Sequence, residues 1–321
     1  MPLIENNKFK PPYYLRNGHL ETIYSNSFRK VPQVNYTRER IDTSDGDFLD
    51  LDWLRSDNPQ LVILSHGLEG NSRRVYIQGM VKAFADQGWD ALAWNCRSCS
   101  GEMNKLPRFY HHGEIGDLGR VIEHVITNFP YKRLVLIGFS MGGSMILKYL
   151  GKNGKQVDSR IDRAIVFSVP CDLRTSELTL ERGINLIYKR RFLRRLKRKI
   201  QNKSLALAGR LNIEDLPKVK TFSDFDTYFT VPLHGFKDPQ DFYHQASAKN
   251  FLEGISIPTL LVNAANDPML EGDCYPTEKA SHHPYLYLEI PKYGGHVGFC
   301  QPPQTLSWAE KRALEFVSKA L

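Results

Sequence analysis

The chain has 321 residues, with 43 Lys+Arg against 35 Asp+Glu and a formal net charge of +8. Its 41% hydrophobic, 24% charged and 11% aromatic residues match a globular chain with a sizeable core, and exclude a fibrous or disordered one. The charge is concentrated: residues 189–203 (KRRFLRRLKRKIQNK) hold nine Lys/Arg and no acid, and the rest has 34 basic against 35 acidic residues, so the protein as a whole is no polycation seeking nucleic acid.

Residues 1–35 are rich in Pro, Asn and Tyr and are expected to wrap over a larger body. They lack the continuous apolar stretch of a secretory signal, and nowhere is there the run of about 18 apolar residues that a membrane span needs. The alternation at Phe48, Leu49, Leu51 and Trp53, after Asp45-Gly46, predicts an antiparallel hairpin with a tight turn. Short apolar runs then alternate with helical periodicity. Strands are predicted at 61–67, 90–97, 133–140 and 163–170, and helices at 73–88, 116–129 and 143–154. Strands this bare of polar residues belong to a parallel sheet covered on both faces. Residues 173–250 carry helical stretches and no convincing buried strand. Strands return at 257–267 and 285–296, and 307–321 closes the chain as a helix, with Ser307 and Glu310 spaced as a capping box. The fold class is therefore α/β, a mostly parallel doubly wound sheet with an N-terminal antiparallel hairpin. Residues 1–172 and 251–321 form the core domain, and 173–250 an inserted helical cap.

Gly138-Phe139-Ser140-Met141-Gly142 lies where an apolar strand meets a helix, the setting of a nucleophile elbow. The glycines suit a turn sharp enough to lift the Ser140 hydroxyl clear of the sheet. A serine needs a base to take its proton and a carboxylate to orient that base, in the chain order Ser, acid, His. Of the five histidines after Ser140, His296 alone follows a strand in a glycine-rich loop, whereas His282 and His283 look like exposed loop residues. Asp267 ends the strand before it, while Asp226 and Asp273 follow no buried strand. The oxyanion donors are expected to be the Met141 amide and the Leu68 amide in His66-Gly67-Leu68-Glu69-Gly70. His66 reads as a structural loop residue. Five scattered cysteines (Cys96, Cys99, Cys171, Cys274, Cys300) indicate reduced thiols and a cytoplasmic setting, and the single Cys96–Cys99 pair lacks the second ligand pair of a zinc site.

Together these stretches resemble the α/β-hydrolase superfamily and, within it, the YheT-type family, relatives of the eukaryotic membrane-anchored α/β-hydrolase-domain proteins. The resemblance rests on residues 17–23 (NGHLETI), 66–77 (HGLEGNSRRVYI), 95–102 (NCRSCSGE) and 108–118 (RFYHHGEIGDL). It continues through 138–151 (GFSMGGSMILKYLG), 231–236 (VPLHGF), 263–268 (NAANDP) and 293–299 (YGGHVGF). It implies the same trio, Ser140, Asp267 and His296, and an α/β-hydrolase fold. Two departures are visible: Arg97-Ser98 replaces the family's usual Arg-Gly, and Glu21 its common Gln. The relatives' N-terminal anchor is expected to be absent.

The function expected is that of a serine hydrolase of carboxylic esters, of short- to medium-chain acyl esters or lipids, with no metal or organic cofactor. Acyl transfer by the same three residues is the enzymatic alternative, and a binding scaffold the non-enzymatic one; a serine at the elbow disfavours aspartate-nucleophile chemistry. A solvated lid face is the favoured reading of 189–203, with peripheral contact to an anionic membrane left open, and no nucleic-acid motif accompanies it. Oligomeric state is not legible.

Overall fold

Successive side chains of a strand point to opposite faces, so a strand apolar at every position needs cover on both. The computed structural model, which describes residues 3–5, 9–206 and 213–319, shows this cover. Strands β4 (Gln60–Ser65), β5 (Asp90–Asn95), β6 (Arg133–Phe139) and β7 (Ile161–Phe167) make the centre of the sheet. Val62, Leu64, Val135 and Ile137 pack under helices α2 (Val75–Ala85) and α11 (Trp308–Ser318). Leu61, Ile63, Leu134 and Leu136 face α3 (Gly116–Asn128) and α4 (Met141–Asn153). Each such fully buried aliphatic side chain is worth about 1.5–3 kcal/mol of transfer free energy.

With β1 (Leu3–Ile4), β2 (Thr37–Asp42), β3 (Phe48–Leu54), β8 (Thr259–Val262) and β9 (Leu286–Glu289), the sheet order is β1-β9-β8-β7-β6-β4-β5-β3-β2. All neighbours are parallel except β2–β3 and β3–β5. The hairpin turns through Gly46. Its strand β3 also buries Asp50 and Asp52, which is tolerable because Arg40 and Arg38 of β2 each approach them to 2.7 Å. The capping box of Ser307 and Glu310 starts α11; residues 320–321 of the expected terminal helix lie outside the described residues.

The first 35 residues do more than wrap. Leu3 and Ile4 extend the sheet edge beside β9, and α1 (Gly18–Ser27) starts on the Asn17 side chain, which accepts the His19 and Leu20 amides. Between β7 and β8 no strand occurs among the described residues. The segment holds α5 (Leu173–Leu180), α6 (Leu186–Ala206), α7 (Phe222–Phe225), α8 (Val231–His234) and α9 (Pro239–Ala246). Residues 207–212 of the expected cap lie outside the described residues, as do 1–2 and 6–8. A short helix α10 (Thr277–His282) leads into β9. No helix among the described residues is long and apolar enough to cross a membrane.

The basic segment lies in α6 and is not a uniformly solvated face. Arg190, Arg191, Arg194 and Arg198 are exposed, but Lys199 and Lys203 turn inward beside Leu193 and Ile200. Lys203 donates to the Arg108 carbonyl at 2.9 Å and lies over the Phe109 ring; burial pushes its ammonium down to about 8. Long amphipathic side chains can bury their stems this way, and a count of charges along the sequence does not reveal it.

Candidate active site

The chain leaves β6 and enters α4 through Ser140, whose backbone is held at φ 52° and ψ −121°. For a side-chain-bearing residue this costs about 1–3 kcal/mol. Close approach explains the flanking glycines. A Cβ on Gly138 would lie 2.6 Å from the Gly142 carbonyl oxygen, and one on Gly142 2.3 Å from that of Ser65. The Ser140 amide donates to the Phe167 carbonyl at 2.8 Å, tying the turn to the next strand.

His296 reaches this serine from the loop after β9. Its Nε2 is 3.0 Å from Ser140 Oγ, and its Nδ1 is 2.9 Å from Asp267 Oδ2 and 3.2 Å from Oδ1. Asp267 stands after β8 with its side chain fully buried, and its Oδ1 also accepts the Met269 amide at 2.9 Å. Three residues from separate strand ends thus form one hydrogen-bonded line. In such a line the imidazole can take the serine proton while the carboxylate stabilises the resulting cation.

What holds the histidine loop was not read from the sequence. Helix α1 lies against it: Glu21 Oε2 accepts the Gly294 amide at 2.8 Å, Thr22 Oγ1 accepts the His296 amide at 2.8 Å, and Ser25 Oγ donates to the Val297 carbonyl at 2.8 Å. Glu21 is fully buried, and burial pushes its carboxyl up to about 8, so it sits there as the neutral acid that the family's usual Gln would mimic. The available signal was Asn17-Gly18, a helix start, in a stretch already matched to the family. The other departure, Ser98, has φ 60°, the left-handed region that favours glycine.

The loop after β4 lies beside Ser140, and its backbone amides are the second group expected to face an oxyanion. The Gly67 amide donates to Tyr76 Oη, the Glu69 amide to Tyr110 Oη, and the Gly70 amide to the Gly67 carbonyl. The Leu68 amide makes no such bond among the described residues, and neither does Met141, the first residue of α4. Both are free to meet an anionic oxygen beside Ser140. The loop is fastened from below and from α6. Glu69 Oε1 takes the Tyr110 hydroxyl at 2.5 Å and Lys199 Nζ at 2.7 Å, and its carbonyl accepts Arg74 Nη2 at 2.6 Å.

His66 is structural: its ring bonds the Gly67 carbonyl and the Cys96 amide, and burial pushes it down to about 4, so it stays neutral. Cys96 and Cys99 are buried free thiols. His282 is exposed as expected, but His283 is buried, because its Nδ1 accepts the Tyr285 and Leu286 amides at the start of β9. Ligand atoms of His111, Glu114 and His234 lie within 4.8 Å of one another. Glu114, however, is already engaged by Arg108 and the Gly116 amide, and Arg108, Arg97 and Lys203 act on His234, so the local field opposes a further cation.

Beside Ser140 lies a cavity with a largely apolar wall, including Leu173, Leu196, Phe222, Phe225 and Phe242. Its acids are Glu177 and Asp226. Asp226 is pushed up to about 7 by burial, and it accepts the Thr230 and Tyr243 hydroxyls.

A family model described as "alpha/beta hydrolase fold" matches residues 60–300. The chain is 34% identical over 301 residues to the Escherichia coli (strain K12) protein YheT, covering 91% of this chain and 87% of that one. It is 29% identical to a Mus musculus protein named phospholipase ABHD3, over 96% of this chain and 78% of that one. Among solved structures, the Pyrococcus furiosus esterase Pf2001 superposes with a TM-score of 0.61 over 91% of this chain and 97% of that one. At 19% identity that likeness speaks to the fold alone.

Proposed function

The chain is an ester-hydrolysing enzyme of the α/β-hydrolase family, in its YheT-type branch, and from that premise we propose that it cleaves carboxylic esters through an acyl-enzyme on Ser140. The observation that carries the reading is the 3.0 Å approach of His296 Nε2 to Ser140 Oγ, with Asp267 on the far side of the ring. Ser140 Oγ bonds to the acyl carbon as His296 takes its proton. The Leu68 and Met141 amides hold the oxygen anion of the tetrahedral intermediate. His296 then gives the proton to the departing alcohol. A water deprotonated by the same ring attacks the acyl-enzyme, releasing the acid and restoring the serine.

The apolar cavity beside Ser140 supports acyl chains of short to medium length. Relatives named phospholipase and monoacylglycerol lipase agree with a lipid-like ester. The test is covalent labelling by a fluorophosphonate together with hydrolysis of p-nitrophenyl esters of increasing chain length. Labelling should map to Ser140, and Ser140→Ala should abolish both labelling and turnover. Undiminished ester hydrolysis by folded Ser140→Ala would overturn the mechanism.

A further inference from the structure

A second cavity, open to solvent, meets the first at Ser140, Leu68, Met269 and His296. Its wall carries three arginines, Arg74, Arg191 and Arg195, from the segment before α2 and from α6. The buried arginines elsewhere are matched to acids, as Arg97 is to Asp117 and Arg312 to Glu289, whereas exposed ones such as Arg190 and Arg194 stand alone among the described residues. The three of the cavity wall form no ion pair among the described residues. Arg74 and Arg195 only touch the Glu69 carbonyl, at 2.6 and 3.4 Å, and the Glu69 carboxylate is taken by Lys199. Burial, then repulsion from Arg74 and Arg191, lowers the proton affinity of Arg195. Three guanidinium groups gathered at one wall without counter-charge repel one another, and an anion of more than one charge would relieve the repulsion. The two cavities are opposite in character: the first has a largely apolar wall, its Asp226 pushed up to about 7 and its Glu177 paired with Arg174, and would leave an anion unsolvated, while the other presents cations.

We propose that the arginine-lined cavity binds the alcohol part of the substrate and that this part carries a phosphate monoester, the acyl chain lying in the apolar cavity. The assignment rests on Ser140 acting on esters. A dianionic phosphate suits it better than a carboxylate, because its oxygens can accept forked hydrogen bonds from several guanidinium groups at once. The substrate class is then an acyl ester of a phosphorylated alcohol, either dissolved or displayed by a membrane.

The experiment compares kcat/KM for hexanoyl-glycerol 3-phosphate, hexanoyl-glycerol and hexanoyl-glycerophosphocholine in solution, and for phosphatidic acid against diacylglycerol in phosphatidylcholine vesicles. Wild-type enzyme should prefer the phosphate monoester by about tenfold or more, the scale of one to two charge-assisted hydrogen bonds. Arg191→Gln, at a side chain with no hydrogen bond to the Leu68 loop, should lower that ratio, and Arg191→Gln/Arg195→Gln should lower it further. High salt should also reduce it. Preference in either the dissolved or the vesicle arm supports the proposal and names the source. Equal turnover of charged and neutral esters in both arms, or a preference that survives both variants, overturns it while leaving the hydrolase reading intact. Failure of wild-type enzyme on every ester overturns the hydrolase reading and this assignment with it.

Discussion

Glu21→Gln isolates the buried acid behind the histidine loop. In the unfolded chain the carboxyl titrates near 4.5, whereas in the folded protein burial moves it to about 8. Between those values the folded state keeps a proton that the unfolded state has lost. The stability tied to this group is therefore complete below about pH 4.5 and declines as pH rises through 8. At roughly 1.4 kcal/mol per pH unit, the loss is about 3 kcal/mol by pH 7. Glutamine removes the titration but keeps the contact, since its carbonyl can accept the Gly294 amide as Oε2 does. Oε1, where the amide NH2 would sit, has no hydrogen-bond partner among the described residues. Urea unfolding of both proteins from pH 5 to pH 8 measures the effect, because groups common to both cancel in the difference. Glu21→Gln should gain on wild type by about 3 kcal/mol from pH 5 to pH 7.5 and level off above pH 8. A difference constant across that range would refute the reasoning, since it would mean that Glu21 is ionised in the folded protein throughout.

Asp267→Asn should lower kcat by about 10³–10⁴-fold with an unchanged circular dichroism spectrum, because an amide can neither stabilise the imidazolium nor enforce the tautomer. Lys199→Met leaves the Glu69 carboxylate buried with Tyr110 as its remaining side-chain partner. A stability loss of about 3 kcal/mol is expected by urea unfolding, together with a fall in kcat, since Glu69 follows the Leu68 amide; a loss of stability without a change in kcat would separate this network from the reaction. Gly142→Ala puts a methyl 2.3 Å from the Ser65 carbonyl oxygen, so soluble expression or fluorophosphonate labelling should be lost.

Much of the architecture was legible because it depends on short-range pattern. The runs at 61–65 and 133–139 are apolar at nearly every position, which only a strand between two covered faces requires. Gly138 and Gly142 bracket a serine at the point where strand period gives way to helix period. Asp267 and His296 could be matched to Ser140 because a parallel sheet delivers all its strand ends to one edge, so chain order stands in for distance. His283 was misread as an exposed loop residue because its two bonds to backbone amides are invisible in composition.

By itself the sequence determined the sheet, the elbow and the residues able to meet at the sheet's edge, since these follow from periodicity and turn chemistry within a few residues. Tertiary structure alone decided what surrounds them. Glu21 and Thr22 brace a loop some 270 positions away along the chain. Lys199 turns inward to Glu69 while Arg191 and Arg195 line the cavity that opens at the serine, although all three belong to one basic run. Which side of that helix each charge occupies depends on how α6 docks, and the docking is set by apolar partners distant in sequence. Burial, which moves Glu21 to about 8, exists only once those distant surfaces have closed.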